Sequence, residues 1–433
     1  MREFCSASLV ILIGLAMVAV GGADEVQPDV AMYVDKPEYP VIDELEAANE
    51  ALIEAAKATT DEILEAYHQA EKIRTEPEKK LRFDLSGVVK PEGPEAFTTR
   101  MWHLPPTPQY LTGTCWSFSA TSYMESEIHR LHGDEIKLSE MWTAYWEFVT
   151  KARGFVASRG ESLVDHGSQS GALLRVFAEH GVVPRSAYEG VIGEDQRFNH
   201  DLMLDTVNSF LGWCKDSNFW DEETIVVMVR RLLDATMGRP PETVTWNGTE
   251  MSPQAFLTDI CRINPADYVS VMSTLSQPMW ARGEYDVPDN WWHGADTVNV
   301  PLDIWYGIIL DSVKDGRSLA IGGDVSEPGI NGFEDIAVIP SFDIPGDLID
   351  QSSREFRFNN GTTTDDHGIH LVGHTRLDGH DWFLIKDSNR SSRQGKYKGY
   401  FFYRDDFVKL KMLTITVHRD QIEDILKKVD SEK

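Results

Sequence analysis

Helical and strand-forming patterns occupy different halves of this sequence, and their separation is the strongest constraint on its fold. Apolar residues recur at helical spacing in 115–131, 137–152 and 170–181, as expected for amphipathic helices. Alternating or wholly apolar runs, divided by Gly and Asp, fill the region 318–418, as expected for strands. Helices followed by strands predict an α+β protein in which a helical half packs against an antiparallel sheet or barrel half.

The remaining segments complete the predicted organisation. Residues 190–300, rich in Trp and Asp, are expected to form a large and mostly helical insertion. Residues 43–74 combine apolar positions at near-helical spacing with many acidic residues, which predicts an amphipathic helix in an N-terminal segment, 24–85. The main domain is then expected to span 86–420, followed by a C-terminal tail, 421–433.

The N-terminus has the features of an export signal. An apolar run from Leu9 to Val20 follows Arg2 and precedes small residues. This pattern predicts a signal peptide over 1–23, cleaved after Ala23, and a periplasmic or secreted mature protein. A retained anchor is the alternative, although the run is short for a membrane span. The net charge of −29 argues against nucleic acid or an anionic membrane as a partner of the mature chain.

Cleavage would leave three cysteines, Cys115, Cys214 and Cys261. Export permits a disulfide, and Cys214–Cys261 is the candidate pair if Cys115 is otherwise occupied. Cys115 stands at the start of a helical pattern, where the partial positive charge of a helix N-terminus stabilises a thiolate. On this feature alone, an inert buried thiol is the better interpretation.

Residues far from Cys115 in sequence change that interpretation. Gln109 lies six residues before Cys115, in the segment PQYLTGTCWSF. Downstream, DDHGIHLVGH contains His367, the run WFLIK is followed by Asp387, and a Gly-Tyr pair begins at Gly399. In this order and spacing, the four segments resemble the papain-like cysteine peptidases.

Two further segments narrow the resemblance to one branch. HGVVPRSAYEG (180–190) and DSVKDGRSLAIGGDV (311–325) are similar to the bleomycin hydrolase/aminopeptidase C branch, which also has a long insertion. The resemblance covers about residues 85–420. It implies a papain-like fold and a cysteine-type peptidase of aminopeptidase-like activity on peptide substrates. It implies no metal or organic cofactor, and it suggests the hexameric homo-oligomer of that branch.

The same resemblance assigns the catalytic roles. Cys115 would be the nucleophile, and His367 its general base and the proton donor to the leaving amine. Asp387 would orient the imidazole by accepting a hydrogen bond from Nδ1–H, and Gln109 would stabilise the oxyanion together with the N–H of Cys115.

Gly167 and Ser168 are the candidate substrate-binding residues. They fall where the family has a Gly-Gly edge that hydrogen-bonds the substrate backbone. A simple loop ahead of the helix at 170–181 is the alternative interpretation.

Three features depart from the family pattern. Asp387 stands where the family has Asn, and Asn389 stands where it has a Trp that covers the His–Asn contact, so Trp382 or another aromatic would have to replace that cover. The segment 421–433 lacks the family's recognisable C-terminal tail, which leaves exo- and endopeptidase action open. These departures keep two alternatives: a catalytically degenerate peptide-binding or scaffold relative, and acyl transfer instead of hydrolysis.

Overall fold

The structure is a computed structural model that describes residues 31–35, 38–75 and 81–431. The chain divides into two units, 1–80 and 81–433. In the first, helix α1 (Pro40–Thr75) confirms the amphipathic pattern over 43–74.

The signal peptide expected over 1–23 lies outside the described residues. None of the helices in the described ranges is both long and apolar enough to cross a membrane.

Eleven-residue to eighteen-residue helices make up most of the helical part of the second unit, and local sequence supplies caps for some of them. They are α2 (Cys115–His132), α3 (Glu140–Ala157), α4 (Ser170–His180), α5 (Asp201–Asp216), α6 (Glu222–Met237), α7 (Pro253–Ala255, continued by a π-helical turn, Phe256–Cys261), α8 (Leu302–Lys314), α9 (Gln351–Asn359), α10 (Asp405–Lys411) and α11 (Glu423–Ser431). Ser139 caps α3 by accepting the N–H of Trp142 at 3.1 Å, as its position predicts. Gly133 ends α2 with a left-handed φ of 76°, which glycine adopts without strain.

The strands form one main sheet and one hairpin. They are β1 (Thr99–Arg100), β2 (Val244–Trp246), β3 (Thr249–Met251), β4 (Tyr268–Met272), β5 (Ala281–Gly283), β6 (Thr297–Asn299), β7 (Leu319–Gly323), β8 (Ile330–Asn331), β9 (Ile336–Ala337), β10 (His367–Leu377), β11 (His380–Lys386), β12 (Tyr400–Arg404) and β13 (Met412–His418). The main sheet runs β5-β6-β4-β13-β7-β10-β11-β12-β9-β8, with β1 added to β10, and β2 pairs with β3. Its neighbours are antiparallel apart from β4–β6 and β9–β12. The predicted α+β class is confirmed.

The segment 190–300 differs from the expected helical insertion in its second half. Helices α5 and α6 fill its first half, but β4, β5 and β6 then extend the main sheet beyond β13. β4 pairs with β13 over Tyr268–Met272. β5 and β6 have three residues each, too few to show a two-residue alternation, and burial does not alternate along the five residues of β4.

Two hydrophobic clusters place the helices against the sheet. One contains the apolar faces of α2, α3, α4 and α6, and the other packs α8 and α10 against β10 and β13. Helix α2 approaches β10 very closely, because a Cβ on Gly368 would lie 2.8 Å from Oγ of Ser119 and 3.1 Å from Cα of Trp116. This contact brings the first residue of α2 beside the first residue of β10.

The boundaries of the main domain also differ from the expected 86–420. Phe83 already packs against the cluster around Trp382. At the other end, Leu426 and Val429 of α11 are buried in the same cluster as Ile309. The region 421–431 is therefore a packed part of the second unit and not a tail, since its helix supplies apolar side chains to the core.

Candidate active site

Cys115 is the first residue of α2 and is half-buried. Thr114, at the N-cap, makes no capping hydrogen bond with its side chain, and the first N–H groups of a helix have no acceptor within it. The sulfur accepts the N–H of Gly368 at 3.5 Å. Both the helix terminus and this N–H stabilise negative charge on the sulfur.

His367 begins β10 and lies between Cys115 and Asp387. Its Nε2 is 2.8 Å from Oδ1 of Asp387, and both side chains are buried. Burial acts to lower the pKa of His367, but the charges of Asp387 and Cys115, with hydrogen bonds to both, raise it well above its usual range. The charged imidazolium is therefore the favoured form beside these two groups.

The ring orientation corrects one detail of the sequence analysis. Asp387 was expected at Nδ1 of His367, but it contacts Nε2. Nδ1 is then the ring nitrogen left to exchange a proton with Cys115.

The carboxylate of Asp387 is fixed from its own loop. The N–H of Asn389 donates to Oδ1 of Asp387 at 2.8 Å, and the backbone N–H of Asp387 donates to Gly399 at 2.9 Å. Trp382 was named, with other aromatics, as a possible replacement for the missing cover, and Trp382 does not take that place. Its ring is wholly buried near Phe97 and Phe402, since it lies five residues back along β11.

Gln109 is tied to the loop that carries Asp387. Its Oε1 accepts the hydroxyl of Ser388 at 2.6 Å, its backbone N–H donates to the carbonyl of Ser388 at 3.0 Å, and its Nε2 donates to the carbonyl of Thr112 at 2.6 Å. One N–H of the amide thus remains for another acceptor. The side chain is buried beside the turn that leads into Cys115.

A model of the Peptidase C1-like family matches residues 65–433. The chain belongs to this family. It is a cysteine peptidase with the papain-like fold, as the sequence resemblance implied.

The individual relatives share only 18–24% sequence identity with this chain. Aminopeptidase C of Listeria monocytogenes is 24% identical over 261 residues, which cover 51% of this chain and 58% of the relative. Bleomycin hydrolase of Gallus gallus is 20% identical over 380 residues, covering 76% and 83%. The crystal structure of PepW from Lactobacillus rhamnosis HN001 has a TM-score of 0.62 at 18% identity, covering 78% of this chain and 84% of that chain. That likeness supports the fold.

Ser168 lines the cavity that Cys115 and His367 share. Its hydroxyl donates to Oε1 of Glu147 at 2.7 Å. Gly167 lies beside the same cavity, and its carbonyl accepts a hydrogen bond from Lys151. The structure thus brings both candidate substrate-binding residues to the catalytic cleft of this family member, on a loop held by α3.

Sequence analysis missed three polar residues of this cleft. Asp289 and Asp365 line the cavity with Cys115, and Glu147 supports the loop of Ser168. Asp365 stands two residues before His367, so the acidic pair ahead of the histidine was a usable signal. Asp289 lies in a Trp-rich turn far from every family motif, and nothing in its sequence context points to the cleft.

The candidate disulfide is absent. Cys214 and Cys261 are both free and fully buried. Burial raises the pKa of Cys214, and it raises that of Cys261 to about 12. These two thiols behave as small core residues, since each lies in the helical cluster and away from any group that would activate it.

Proposed function

We propose that this chain hydrolyses peptide bonds with Cys115 as its nucleophile, His367 as acid and base, and Asp387 as the group that orients His367. The observation that carries the proposal is the line of contacts from the helix N-terminus through Cys115 and His367 to Asp387. A thiolate between a helix N-terminus and an imidazolium is a strong nucleophile at neutral pH.

In the first step, the Cys115 sulfur donates its electron pair to the carbonyl carbon of the scissile bond. The carbonyl oxygen becomes an oxyanion, held by the N–H of Cys115 and by the remaining amide N–H of Gln109. Collapse of this intermediate breaks the C–N bond, and His367 gives its proton to the leaving amine. The products at this stage are a free amine and a thioester on Cys115.

In the second step, neutral His367 takes a proton from water, and the resulting hydroxide adds to the thioester carbon. Collapse releases the carboxylic acid and restores the Cys115 thiolate and the charged His367. The Asp387 carboxylate stabilises each charged state of the ring without taking its proton. No step requires a group outside the chain other than water.

Action at the amino terminus of peptides is the finer part of the proposal. Two observations support it: relatives of this chain are named aminopeptidase C, and the chain belongs to the Peptidase C1-like family. Export through cleavage after residue 23 is likewise proposed, and sequencing of the mature amino terminus tests it. Assembly into a homo-oligomer is proposed from the family resemblance, and light scattering after size-exclusion chromatography tests that.

Labelling with an epoxide-type inactivator of cysteine peptidases, mapped by mass spectrometry, tests the central proposal. We expect one label per chain on Cys115 and none on Cys214 or Cys261, which serve as internal controls. The His367→Ala variant should lose the label, because it lacks the imidazolium.

Absence of the label in folded, reduced protein would overturn the proposal and support a peptide-binding relative.

Product analysis with a competing amine separates hydrolysis from acyl transfer. Release of free acid alone is expected. If most acyl groups are instead transferred to the amine, the main reaction of this chain is acyl transfer and not hydrolysis.

A further inference from the structure

The turn that leads into the nucleophile is held by a histidine outside the catalytic set. The backbone N–H of Gly113 donates to Nδ1 of His166 at 3.1 Å. His166 lies in the loop ahead of α4, next to Gly167. The two segments pack closely, since a Cβ on Gly113 would lie 2.6 Å from Cβ of His166. The side chain of His166 thus contacts the chain two residues before Cys115.

A second hydrogen bond joins the same two segments on the other side of Cys115. Nε1 of Trp116 donates to the backbone carbonyl of His166 at 3.0 Å. His166 therefore contacts the chain before the nucleophile through its ring and after it through its backbone. The backbone contact does not depend on the side chain at 166, whereas the ring contact does, so substitution separates the two.

The turn also links the two groups proposed to hold the oxyanion. Cys115 supplies its own N–H, and Nε2 of Gln109 donates to the carbonyl of Thr112 at 2.6 Å, one residue before Gly113. An oxyanion donor is effective only at about 2.7–3.1 Å from the developing charge. A group that fixes this turn therefore fixes the distances over which both donors act.

Donation by Gly113 determines the protonation state of the His166 ring. A backbone N–H can only donate, so Nδ1 is unprotonated and the proton of the neutral imidazole lies on Nε2. A proton added to Nδ1 would remove the acceptor. The hydrogen bond to the turn therefore exists only while His166 is neutral.

Charged and titratable side chains face His166 from its own loop and from two helices. They are Asp165 of the same loop, Asp201 and Asp205 of α5, Lys151 of α3 and, just before α5, His200. Nε2 of His166 is 3.8 Å from Oδ1 of Asp201. Burial is the main cause that holds the pKa of His166 below its usual value, although Asp165 and Asp201 act to raise it.

The ring of His166 is the one that titrates in this neighbourhood at mildly acidic pH. Its side chain is 21% exposed, so the ring can exchange protons with solvent. His200 is buried, and its pKa is lowered to about 3. His200 therefore stays neutral at the pH values at which His166 gains its proton.

We propose that His166 is a positioning residue for the oxyanion-binding turn and acts only while its Nδ1 is unprotonated. The proposal rests on the proposed function, because the turn has this role only if Cys115 attacks a carbonyl. When His166 is protonated, the N–H of Gly113 loses its acceptor and faces a second donor, Nδ1–H. The turn then shifts and hydrolysis slows, so His166 makes the peptidase sensitive to acid independently of Cys115 and His367.

The variants His166→Asn and His166→Leu test this role as a pair. Asparagine Oδ1 takes the place of Nδ1 and accepts the same hydrogen bond but does not titrate, whereas leucine has no acceptor. At pH 7.5, with whichever of leucyl- and acetyl-leucyl-amidomethylcoumarin is cleaved faster, we expect His166→Asn to retain most of the wild-type kcat. His166→Leu should lose about 3- to 10-fold in kcat with little change in KM.

The pH dependence gives a readout that a merely structural role would not change. As the pH falls from 7.5 to 5, the kcat of His166→Asn relative to wild-type protein should rise by about 3- to 10-fold, because only the wild-type protein loses its acceptor. His180→Asn is the matched control. Burial also lowers the pKa of His180, but its ring stacks on Trp146 at the other end of α4, so its relative kcat should stay constant.

A constant ratio of His166→Asn to wild-type protein over this pH range, or equal kcat in His166→Asn and His166→Leu, would overturn the role of His166. Alkylation of Cys115 by iodoacetamide forms no oxyanion, so its rate at pH 7.5 should be the same in all three proteins. Slower alkylation in His166→Leu would contradict the proposal, because His166 would then act on the sulfur.

The same alkylation separates failure of this inference from failure of the proposed function. Rapid alkylation of wild-type Cys115 together with a constant ratio leaves the proposed function and removes the role of His166. Neither alkylation nor hydrolysis in wild-type protein removes both. Nitrogen-15 NMR of the imidazole adds a test that needs no activity: a proton on Nδ1 of His166 at pH 7.5 would contradict the hydrogen bond itself.

Discussion

Nε2 of His367 lies 2.8 Å from Oδ1 of Asp387, with both side chains buried at the end of the cleft. A carboxylate at this position differs from an amide because it carries a negative charge and has only acceptor atoms. The charged partner favours the imidazolium, so the pair sets the pH range over which His367 can protonate a leaving group.

Replacing Asp387 by Asn should move the alkaline limb of the pH profile of kcat/KM to lower pH. The carboxylate raises the pKa of His367, so its removal lowers that pKa, by roughly one to three pH units. The proton donor is then lost at a lower pH. Initial rates between pH 4 and 10 measure the limb.

The control for this variant is Asp381→Asn. Asp381 contacts His374 at the same distance, 2.8 Å, but away from the cleft, so its replacement should leave the limb in place. If the alkaline limb of Asp387→Asn lies at the same pH as in wild-type protein, or at a higher pH, the Asp387 carboxylate does not raise the pKa of His367.

Replacing Gln109 by Ala should lower kcat by roughly 100- to 1000-fold with little change in KM, because an oxyanion donor acts mainly in the transition state. Ser388→Ala is the comparison, since it removes only the hydrogen bond that orients Oε1 of Gln109. We expect a loss of about 2- to 10-fold there. Equal losses in the two variants would make Gln109 a positioning residue.

A thiol titration distinguishes the three cysteines of the chain beginning at residue 24. Cys115 is half-buried and Cys214 and Cys261 are fully buried. Ellman's reagent should react quickly with a single thiol in the folded protein and with all three in guanidinium chloride without reductant. Recovery of a single thiol under both conditions would indicate that Cys214 and Cys261 are joined.

Glu147→Ala should lower the free energy of unfolding by roughly 3–5 kcal/mol, because it leaves buried charge uncompensated. The fully buried carboxylate of Glu147 accepts from Arg175 at 2.6 Å and from Trp291 at 2.8 Å, as well as from Ser168. Urea unfolding measures the change.

The matched control for this stability prediction is Glu222→Ala. Glu222 pairs with Arg153, but both side chains are about half exposed, so its loss should cost no more than about 1 kcal/mol. Similar values for the two variants would mean that Glu147 contributes no more than a surface charge. If Glu147→Ala also lowers the activity per molecule of folded protein, the loop that carries Ser168 has moved.

Residues close to sequence motifs were predicted well. Cys115 marks the start of a long helix, and His367 and Asp387 flank strands with strong apolar patterns. Such patterns depend on neighbouring residues alone, so the sequence contains them in full. The order of helices before strands then predicts the α+β class.

The features that the sequence analysis missed depend on contacts between distant segments. Asp289 reaches the cleft only because β5 and β6 join the sheet, and no local pattern signals that pairing. The choice of Nε2 over Nδ1 in His367 depends on the direction from which α2 and the loop after β11 approach. The separation of Cys214 from Cys261 follows from the packing of two different helical segments.

The central position of β13 has a consequence for how the chain folds. Within this strand, Thr416 pairs with Ser270 on one side and with Ala320 on the other. β13 begins 140 residues after the end of β4 and 89 residues after the end of β7, so these two strands gain their common partner only late in synthesis. Such long-range closure slows folding. Until β13 has been made, β4 and β7 each keep one unpaired edge, so a chain that lacks its last strand cannot complete the main sheet.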